Sequence, residues 1–353
     1  MIMNVMSIIN KLTLAISLFG SYLNDMQINI IDDFLQNSRY SQVKDFHDFT
    51  VNYNKTYSSI DAVLQAFDNF NHNLVKIMSH NSTLHGYKIG INKFADLNTY
   101  QFNEQVKQRN EHYQNMKSGL GFGSPCSKFV SNEKTLPDVV DWTSKDVVTP
   151  VKDQGQCGSC WSFSTTGAIE GAYAIKTGSL ISFSEQELVD CSRTYGNMGC
   201  NGGLMDSAFE YVMDNGICTE LEVPYTASDG SCKKCQKPSA IVSSCIDVTS
   251  KNELHLKEAV NKGPVSVAIE ADASIFQLYK SGVISSEKCG TSLDHGVLVV
   301  GYGTDTEGIS YWLVKNSWGD SWGDDGYVKI GRTDKTSDAG ICGIALQPSF
   351  PVI

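Results

Sequence analysis

Gln154-Gly-Gln-Cys157-Gly-Ser-Cys160-Trp161-Ser-Phe163 is a short flexible turn running into a helix-like stretch, with a cysteine at the junction. A thiol in the first turn of a helix feels the positive end of the helix dipole and unpaired backbone N–H groups. Both favour the thiolate, which is the nucleophilic form. The run therefore places Cys160 for attack on an electrophile. Two other readings compete: a redox pair of Cys157 and Cys160, and a metal site formed with Cys232-x2-Cys235. Against them, the two C-x-x-C pairs lie too far apart for a zinc ribbon, and no βαβ pattern surrounds the first.

A cysteine nucleophile needs a base from elsewhere in the chain. His47, His72, His80, His85 and His112 all precede residue 136, in a segment that reads as removable. His255 lies in the amphipathic run Lys251-Asn-Glu-Leu-His-Leu-Lys-Glu-Ala-Val260, where a solvated surface position is expected. His295 opens Leu293-Asp-His-Gly-Val-Leu-Val-Val-Gly-Tyr-Gly303, a β-type apolar run after a polar turn. It is the strongest base candidate, with a satisfied core histidine as the alternative.

Asn316, in Tyr311-Trp-Leu-Val-Lys-Asn-Ser-Trp-Gly319, offers an amide to accept an imidazole N–H and fix its tautomer, and Trp318 is large enough to cover that bond. Alone, the pair reads better as a strand-end turn and ordinary core. Gln154 is a candidate oxyanion donor together with the backbone N–H of Cys160. Such donors contribute roughly 3 kcal/mol each to transition-state stabilisation. A solvated loop glutamine is the bland reading.

Taken in order, these runs resemble papain-family cysteine peptidases of the cathepsin L type, in full precursor form. The resemblance extends from about residue 40 to the C-terminus. It includes Asp141-Trp142, Cys191 in Glu-Leu-Val-Asp-Cys-Ser, Cys200-Asn-Gly-Gly-Leu-Met205, Asp294-His295-Gly296, Asn316-Ser-Trp-Gly319 and Cys342-Gly-Ile. His295 follows Cys160 by 135 positions, within the family's usual spacing. The resemblance implies cysteine endopeptidase activity through a Cys160 thiolate–His295 pair and a thioester intermediate, with Asn316 and Gln154 assisting. It implies protein and peptide substrates, no cofactor and no metal. A non-catalytic binding module would have lost one of Cys160, His295 or Asn316.

Substrate contacts follow by position. Leu204, Met205, Ala268, Leu293 and Gln347 are expected to line the pocket for the second residue before the cut. Asp294 and Trp318 are expected beside the cleft, and Gly202 and Gly203 are expected to let substrate backbone approach for strand-like pairing. Burial in the four apolar positions favours Leu, Phe or Val there by roughly 2–3 kcal/mol. Gln347 departs from the small residue of cathepsin L.

The same resemblance organises the N-terminal third. Phe70-x2-Asn73-x3-Ile77-x3-Asn81 resembles the second half of the ERFNIN helix of the family's inhibitory prosegment. Leu64, Phe67, Phe70, Leu74 and Ile77 are predicted to form its apolar stripe. Ala62 and Ala66 stand where Glu and Arg are expected, which predicts a weaker ionic brace. Gly90-x-Asn92-x-Phe94-x-Asp96 is intact, and Asp96 is a candidate acid switch or, on the bland reading, a structural-turn aspartate. The expected organisation is a signal peptide over 1–21, an inhibitory prodomain over 40–100, a propeptide linker over 101–135 and a mature peptidase over 136–353. The linker reading rests on the Gly-, Ser- and Lys-rich run 114–135, with cleavage near Leu136.

In the mature part, Cys160–Ile175 and Met205–Asn215 read as helices. Val265–Ala271, Gly296–Gly303, Ser310–Asn316 and Gly326–Ile330 read as strands. The expected class is α+β: a helical left lobe and a β-barrel-like right lobe, with the cleft between them. Of the eleven cysteines, the resemblance pairs Cys157–Cys200, Cys191–Cys232 and Cys289–Cys342, and protist relatives add Cys218–Cys235. Cys245 is then expected free and buried, and Cys126 lost with the linker. A retained peptide around Cys126 is the basis of an alternative, an aminopeptidase of the same family. An occluding loop is excluded, because the mature half lacks paired histidines.

Charge divides at the same boundary. Residues 1–135 carry 12 basic and 11 acidic side chains, and residues 136–353 carry 16 and 28, a net −12. An acidic mature chain gives no case for nucleic acid as partner. Lys11 before the short apolar run Leu12–Phe19 has the order of a secretory signal, with a signal anchor as alternative, and no later segment reaches transmembrane length. The sequons at Asn54 and Asn81 and the cysteine count fit a secretory route ending in a lysosome-like vacuole or outside the cell. The expected partners are the chain's own prosegment, as intramolecular inhibitor, and protein inhibitors in the cleft. A monomer is expected.

Overall fold

The computed structural model of the chain describes residues 38–83, 86–106, 124–132, 135–272, 274–285 and 289–353. The expected signal peptide (1–21) and the 107–123 part of the expected linker lie outside the described residues. The chain divides into two compact units. One comprises the residues up to Thr83 with Gly90–Asn98, and the other Leu84–Ile89 with Thr99–Ile353.

In the first unit, helices α1 (Ser38–Asn52) and α2 (Ile60–Asn81) meet through aromatic rings. Phe70 is fully buried, 5.5 Å from Phe46 and 5.0 Å from Phe49 between ring centroids. Ser59 caps α2 by accepting the Ala62 N–H, satisfying one of the donors that a helix start leaves unpaired. The buried face of α2 is Val63, Ala66, Phe70 and Asn73. The stripe predicted from sequence is therefore rotated: Leu64 is 56% exposed, and Phe67, Leu74 and Ile77 are only half-buried. The cause is polar. Asn73 Nδ2 donates to Ala95 O and Leu97 O at 2.8 Å each, which turns the asparagine inward and carries the face with it.

The brace expected to be weak is rebuilt from outside the helix. Asp96 is buried and accepts from Lys55 Nζ at 2.8 Å and Tyr57 Oη at 2.9 Å. A buried carboxylate with two donors replaces the charge pair that Ala66 cannot make. Of the two sequon asparagines, Asn54 is exposed and Asn81 ends α2 half-buried.

The second unit runs β1 (Tyr87–Ile89), α3 (Thr99–Val106), β2 (Ser127–Lys128), β3 (Val140–Asp141), α4 (Cys160–Thr177), α5 (Glu185–Cys191) and α6 (Met205–Asn215). It continues with β4 (Ser244–Asp247), α7 (Glu253–Lys262), β5 (Val265–Ile269), β6 (Tyr279–Ile284), β7 (His295–Thr304), β8 (Ser310–Lys315), β9 (Tyr327–Gly331) and β10 (Ser349–Val352). The described strands form one sheet in the order β1-β6-β9-β8-β7-β5-β10-β4-β2, with β3 on β7. Pairing is antiparallel except at β6–β9 and β2–β4. The class is α+β, as expected.

Helix α4 outruns its predicted end by two residues and stops at Gly178, whose φ of +75° suits a left-handed cap. It is buried on nearly every side, packing on β5 and β7. Gly167 and Gly171, one turn apart, make this possible, since a Cβ would lie 2.8 Å from Leu298 or 2.6 Å from Pro264. The core joins Trp161 and Ile169 of α4 to Phe209 and Val212 of α6 and to Leu298 and Val300 of β7.

The four expected disulfides are present: Cys157–Cys200, Cys191–Cys232, Cys218–Cys235 and Cys289–Cys342. The expectation of a free Cys245 is overturned: Cys245 is bonded to Cys126, and Cys160 is the cysteine outside the disulfides. Two described parts of the expected 101–135 linker carry regular structure within the second unit. Residues 99–106 form α3, whose Phe102 is fully buried, and β2 adds to the edge of β4. His255 is half-buried rather than solvated, because its ring lies 5.5 Å from that of Phe129. Among the described residues no helix is long and apolar enough to cross a membrane.

Candidate active site

Cys160 is the first residue of α4 and is buried to 0% exposure. Its neighbour from the sheet is Gly296, whose backbone N–H donates to Sγ at 3.3 Å. A Cβ on Gly296 would stand 3.1 Å from Trp161 Cα and 3.3 Å from the Cys160 carbonyl carbon, so the close approach favours glycine. An N–H aimed at sulfur adds to the helix-start donors in favouring a thiolate.

The step from α4 to β7 brings His295 to the same place. Its Nε2 lies 2.7 Å from Asn316 Oδ1. That oxygen also accepts the Ser317 N–H at 2.8 Å, which identifies it as the acceptor and places hydrogen on Nε2. His295 Nδ1 makes no hydrogen bond among the described residues. The ring stacks on Trp318 at 4.7 Å, and Phe102 and Trp322 meet Trp318 edge-on, so the bond to Asn316 is shut away from water. Burial lowers the imidazole pKa to about 4, against the raising effect of Asn316. A charged His295 therefore requires an anion beside it, and a Cys160 thiolate is the anion this site can supply.

Gln154 is fully buried, not solvated. Its Nε2 donates to Cys157 O at 2.9 Å, and its Oε1 accepts from Ser317 Oγ at 2.7 Å. Its backbone N–H donates to Ser317 O, so the Gln154 loop and the Asn316 segment hold one another.

Behind these residues lies a buried ionic cluster that sequence reasoning missed. Lys152 Nζ bonds Glu170 at 2.8 Å and Glu185 at 2.6 Å, and Lys315, next to Asn316, donates to Thr149. A void of about 20 Å³, room for about one water, separates them from Asn316 and Ser317. Glu170 has Lys152, Thr149 and the Phe183 N–H, whereas Glu185 Oε2 has no hydrogen-bond partner among the described residues. Desolvation accordingly pushes Glu185 up to about 7, and burial brings Lys315 down to about 8. A lysine ending an apolar strand was the available signal. Gly296 was signalled only by its place beside His295.

The expected pocket residues separate into two groups. Leu204, Met205 and Gln347 line a cavity of about 500 Å³, together with Asp206, Asp247, Leu346 and, unexpectedly, Lys128 and Phe129. Ala268 and Leu293 are instead in the hydrophobic core with Met205. Asp294 is buried, with Oδ1 accepting the Ala271 N–H at 2.8 Å. Gly202 and Gly203 are buried in the turn before α6, Gly203 against the Trp161 ring. Desolvation, then Asp247, raises the Asp206 pKa to about 6.

This arrangement matches known proteins in sequence and in fold. Residues 136–352 match the family described as papain family cysteine protease, and residues 46–102 match the cathepsin propeptide inhibitor domain. The chain is 44% identical to a cathepsin L of Sarcophaga peregrina over 88% of this chain and 93% of that protein. It is 47% identical to the germination-specific cysteine protease 1 of Arabidopsis thaliana, over 81% and 77%. Among solved structures, the proform of the ragweed pollen cysteine protease Amb a 11 superposes with a TM-score of 0.82 at 36% identity, covering 90% of this chain and 96% of that one. Digestive procathepsin L 3 from the larval midgut of Tenebrio molitor gives 0.79 at 39% identity, covering 88% and 99%. The chain is a hydrolase of the papain family of cysteine proteases, a cathepsin L-like precursor carrying its own inhibitory propeptide.

Proposed function

We propose that Cys160 and His295 perform the peptide hydrolysis, with Asn316 and Gln154 as supporting residues. The observation that carries this is a pair of contacts at adjacent residues: the Gly296 N–H reaches Cys160 Sγ, and its neighbour His295 reaches Asn316 Oδ1 under Trp318. Asn316 takes Nε2–H, so Nδ1 is the nitrogen left to exchange the catalytic proton. The thiolate attacks the scissile carbonyl carbon, and the oxyanion is stabilised by the Cys160 N–H and the Gln154 amide. His295 gives its proton to the leaving amine. Water then attacks the thioester, His295 takes its proton, and Cys160 leaves as thiolate. Leu204 and Met205 favour apolar side chains at the second residue before the cut, by roughly 2–3 kcal/mol for full burial.

The propeptide keeps the precursor inactive until cleavage, expected near Leu136. Five disulfides require an oxidising compartment, which supports the secretory route, with a lysosome-like vacuole or the exterior as destination. Cys160→Ala tests the mechanism. Turnover of a peptide substrate should vanish while peptide binding persists, and residual proteolysis above contamination would contradict it.

A further inference from the structure

Residues 124–132 lie between the propeptide domain, which ends at 102, and the protease domain, which starts at 136. Neither accounts for them, yet they are fixed to the second unit at three places. Cys126 is bonded to Cys245. Ser127 and Lys128 pair in parallel with Ile246 and Asp247, and the Phe129 N–H extends that ladder to Asp247 O at 2.9 Å. Ser131 Oγ and the Asn132 N–H both donate to the buried Glu258 carboxylate, at 2.6 and 2.9 Å. The Phe129 ring packs near His255 and Phe350, with Lys262 Nζ 5.1 Å from its centre.

A segment that departs on activation has no use for a covalent bond to the part that remains. Cutting the chain on either side of the segment leaves that bond intact. The segment also faces something. Lys128 and Phe129 line the 500 Å³ cavity with Leu204, Met205 and Gln347. The carboxylates of Asp206 and Asp247 lie within 4.8 Å of each other and of Cys126 Sγ. The disulfide thus sits over an acidic pair, and Lys128 lines the same cavity.

We propose that residues 124–132 stay on the mature enzyme, tethered through Cys126–Cys245, and that Lys128 and Phe129 are specificity determinants forming one wall of the pocket for the substrate's second side chain. This rests on the reading of that cavity given under the proposed function. Lys128 brings a positive side chain to the cavity that Asp206 and Asp247 also line. The tethered wall therefore favours apolar over basic side chains, and its loss widens the pocket and leaves it more acidic.

Two measurements on the full-length precursor, activated at acid pH, test the proposal. Intact mass without reductant should show the Cys126 segment, either as a fragment released by reductant or as the start of a longer chain. A non-reduced mature protein beginning at or after residue 135 with nothing attached would overturn it. Lys128→Ala and the double variant Lys128→Ala/Phe129→Ala then address the wall on a peptide pair with Arg or Leu at the second residue. The Arg-to-Leu ratio of kcat/KM should rise about threefold to fivefold, the size expected of an exposed charge, with the change carried by the KM of the Arg peptide. An unchanged ratio would overturn the wall. Failure of the underlying reading looks different: the wild-type enzyme would show no second-residue selectivity, whatever its overall activity.

Discussion

Around Cys160 each supporting polar group is held by a buried neighbour: Asn316 by Ser317, Gln154 by Cys157 and Ser317, His295 by Asn316 and Trp318. The cavity lined by Leu204 and Asp206 is built otherwise. Its walls are half-buried, its charges are of both signs, and one wall comes from a segment held across 119 residues of chain by a disulfide. A site that must fix a proton and an oxyanion has little freedom in residue type. A site that reads side chains has much more, since it needs only volume and net charge.

The largest effect that sharpens this contrast belongs to Gln154. Because the amide is already clamped on both sides, Gln154→Ala should lower kcat by about 10²- to 10³-fold with little change in KM. Steady-state kinetics on an apolar peptide measures this. A loss confined to KM would move Gln154 from the reaction to substrate binding.

An intermediate effect lies in the ionic cluster behind the proposed catalytic residues. Glu185 has a folded pKa of about 7 against an ordinary 4.5, so the folded state keeps a proton that the unfolded state gives up. Its contribution to stability is present below about pH 4.5 and is lost as pH rises towards 7, on the order of 1–3 kcal/mol. Thermal unfolding of the Cys160→Ala precursor should therefore show a higher Tm at pH 5 than at pH 7, and Glu185→Gln should flatten the difference. An equally steep profile in that variant would remove Glu185 as the cause.

The smallest effect is in the cavity. Asp206 gains its charge as pH rises through about 6, so acceptance of Arg relative to Leu at the second residue should increase severalfold between pH 5 and pH 7. Asp206→Asn should abolish the change. A ratio that stays flat in the wild type would show that the carboxylate does not face the substrate.

The same contrast explains what could be read from the chain alone. Cys160 and His295 sit in short runs whose chemistry is local, a cysteine at a helix start and a histidine entering a strand, and Asn316 took its role from its order and spacing relative to them. Helix α6 and strands β7 and β8 followed from periodicity and turn residues in the same way. Long-range pairing was not legible. The Cys126–Cys245 bond joins a Gly- and Ser-rich stretch to a strand edge, and counting cysteines leaves such pairs undetermined. Lys55 and Tyr57 reach Asp96 from the loop before α2, a contact that the two alanines of that helix gave no sign of. Lys152, Glu170, Glu185 and Lys315 are separately unremarkable in sequence and meet only in the fold.

The central claim is that Cys160 works as a thiolate paired with a charged His295 in a site too dry to hold either charge alone. Alkylation of the activated enzyme by iodoacetamide, followed from pH 3 to pH 9, tests it directly. The account predicts rapid alkylation persisting at pH 5 and falling only at lower pH, with His295→Ala restoring the pH dependence of an ordinary thiol near about 8.5. A wild-type profile that itself rises only near that ordinary value would contradict it.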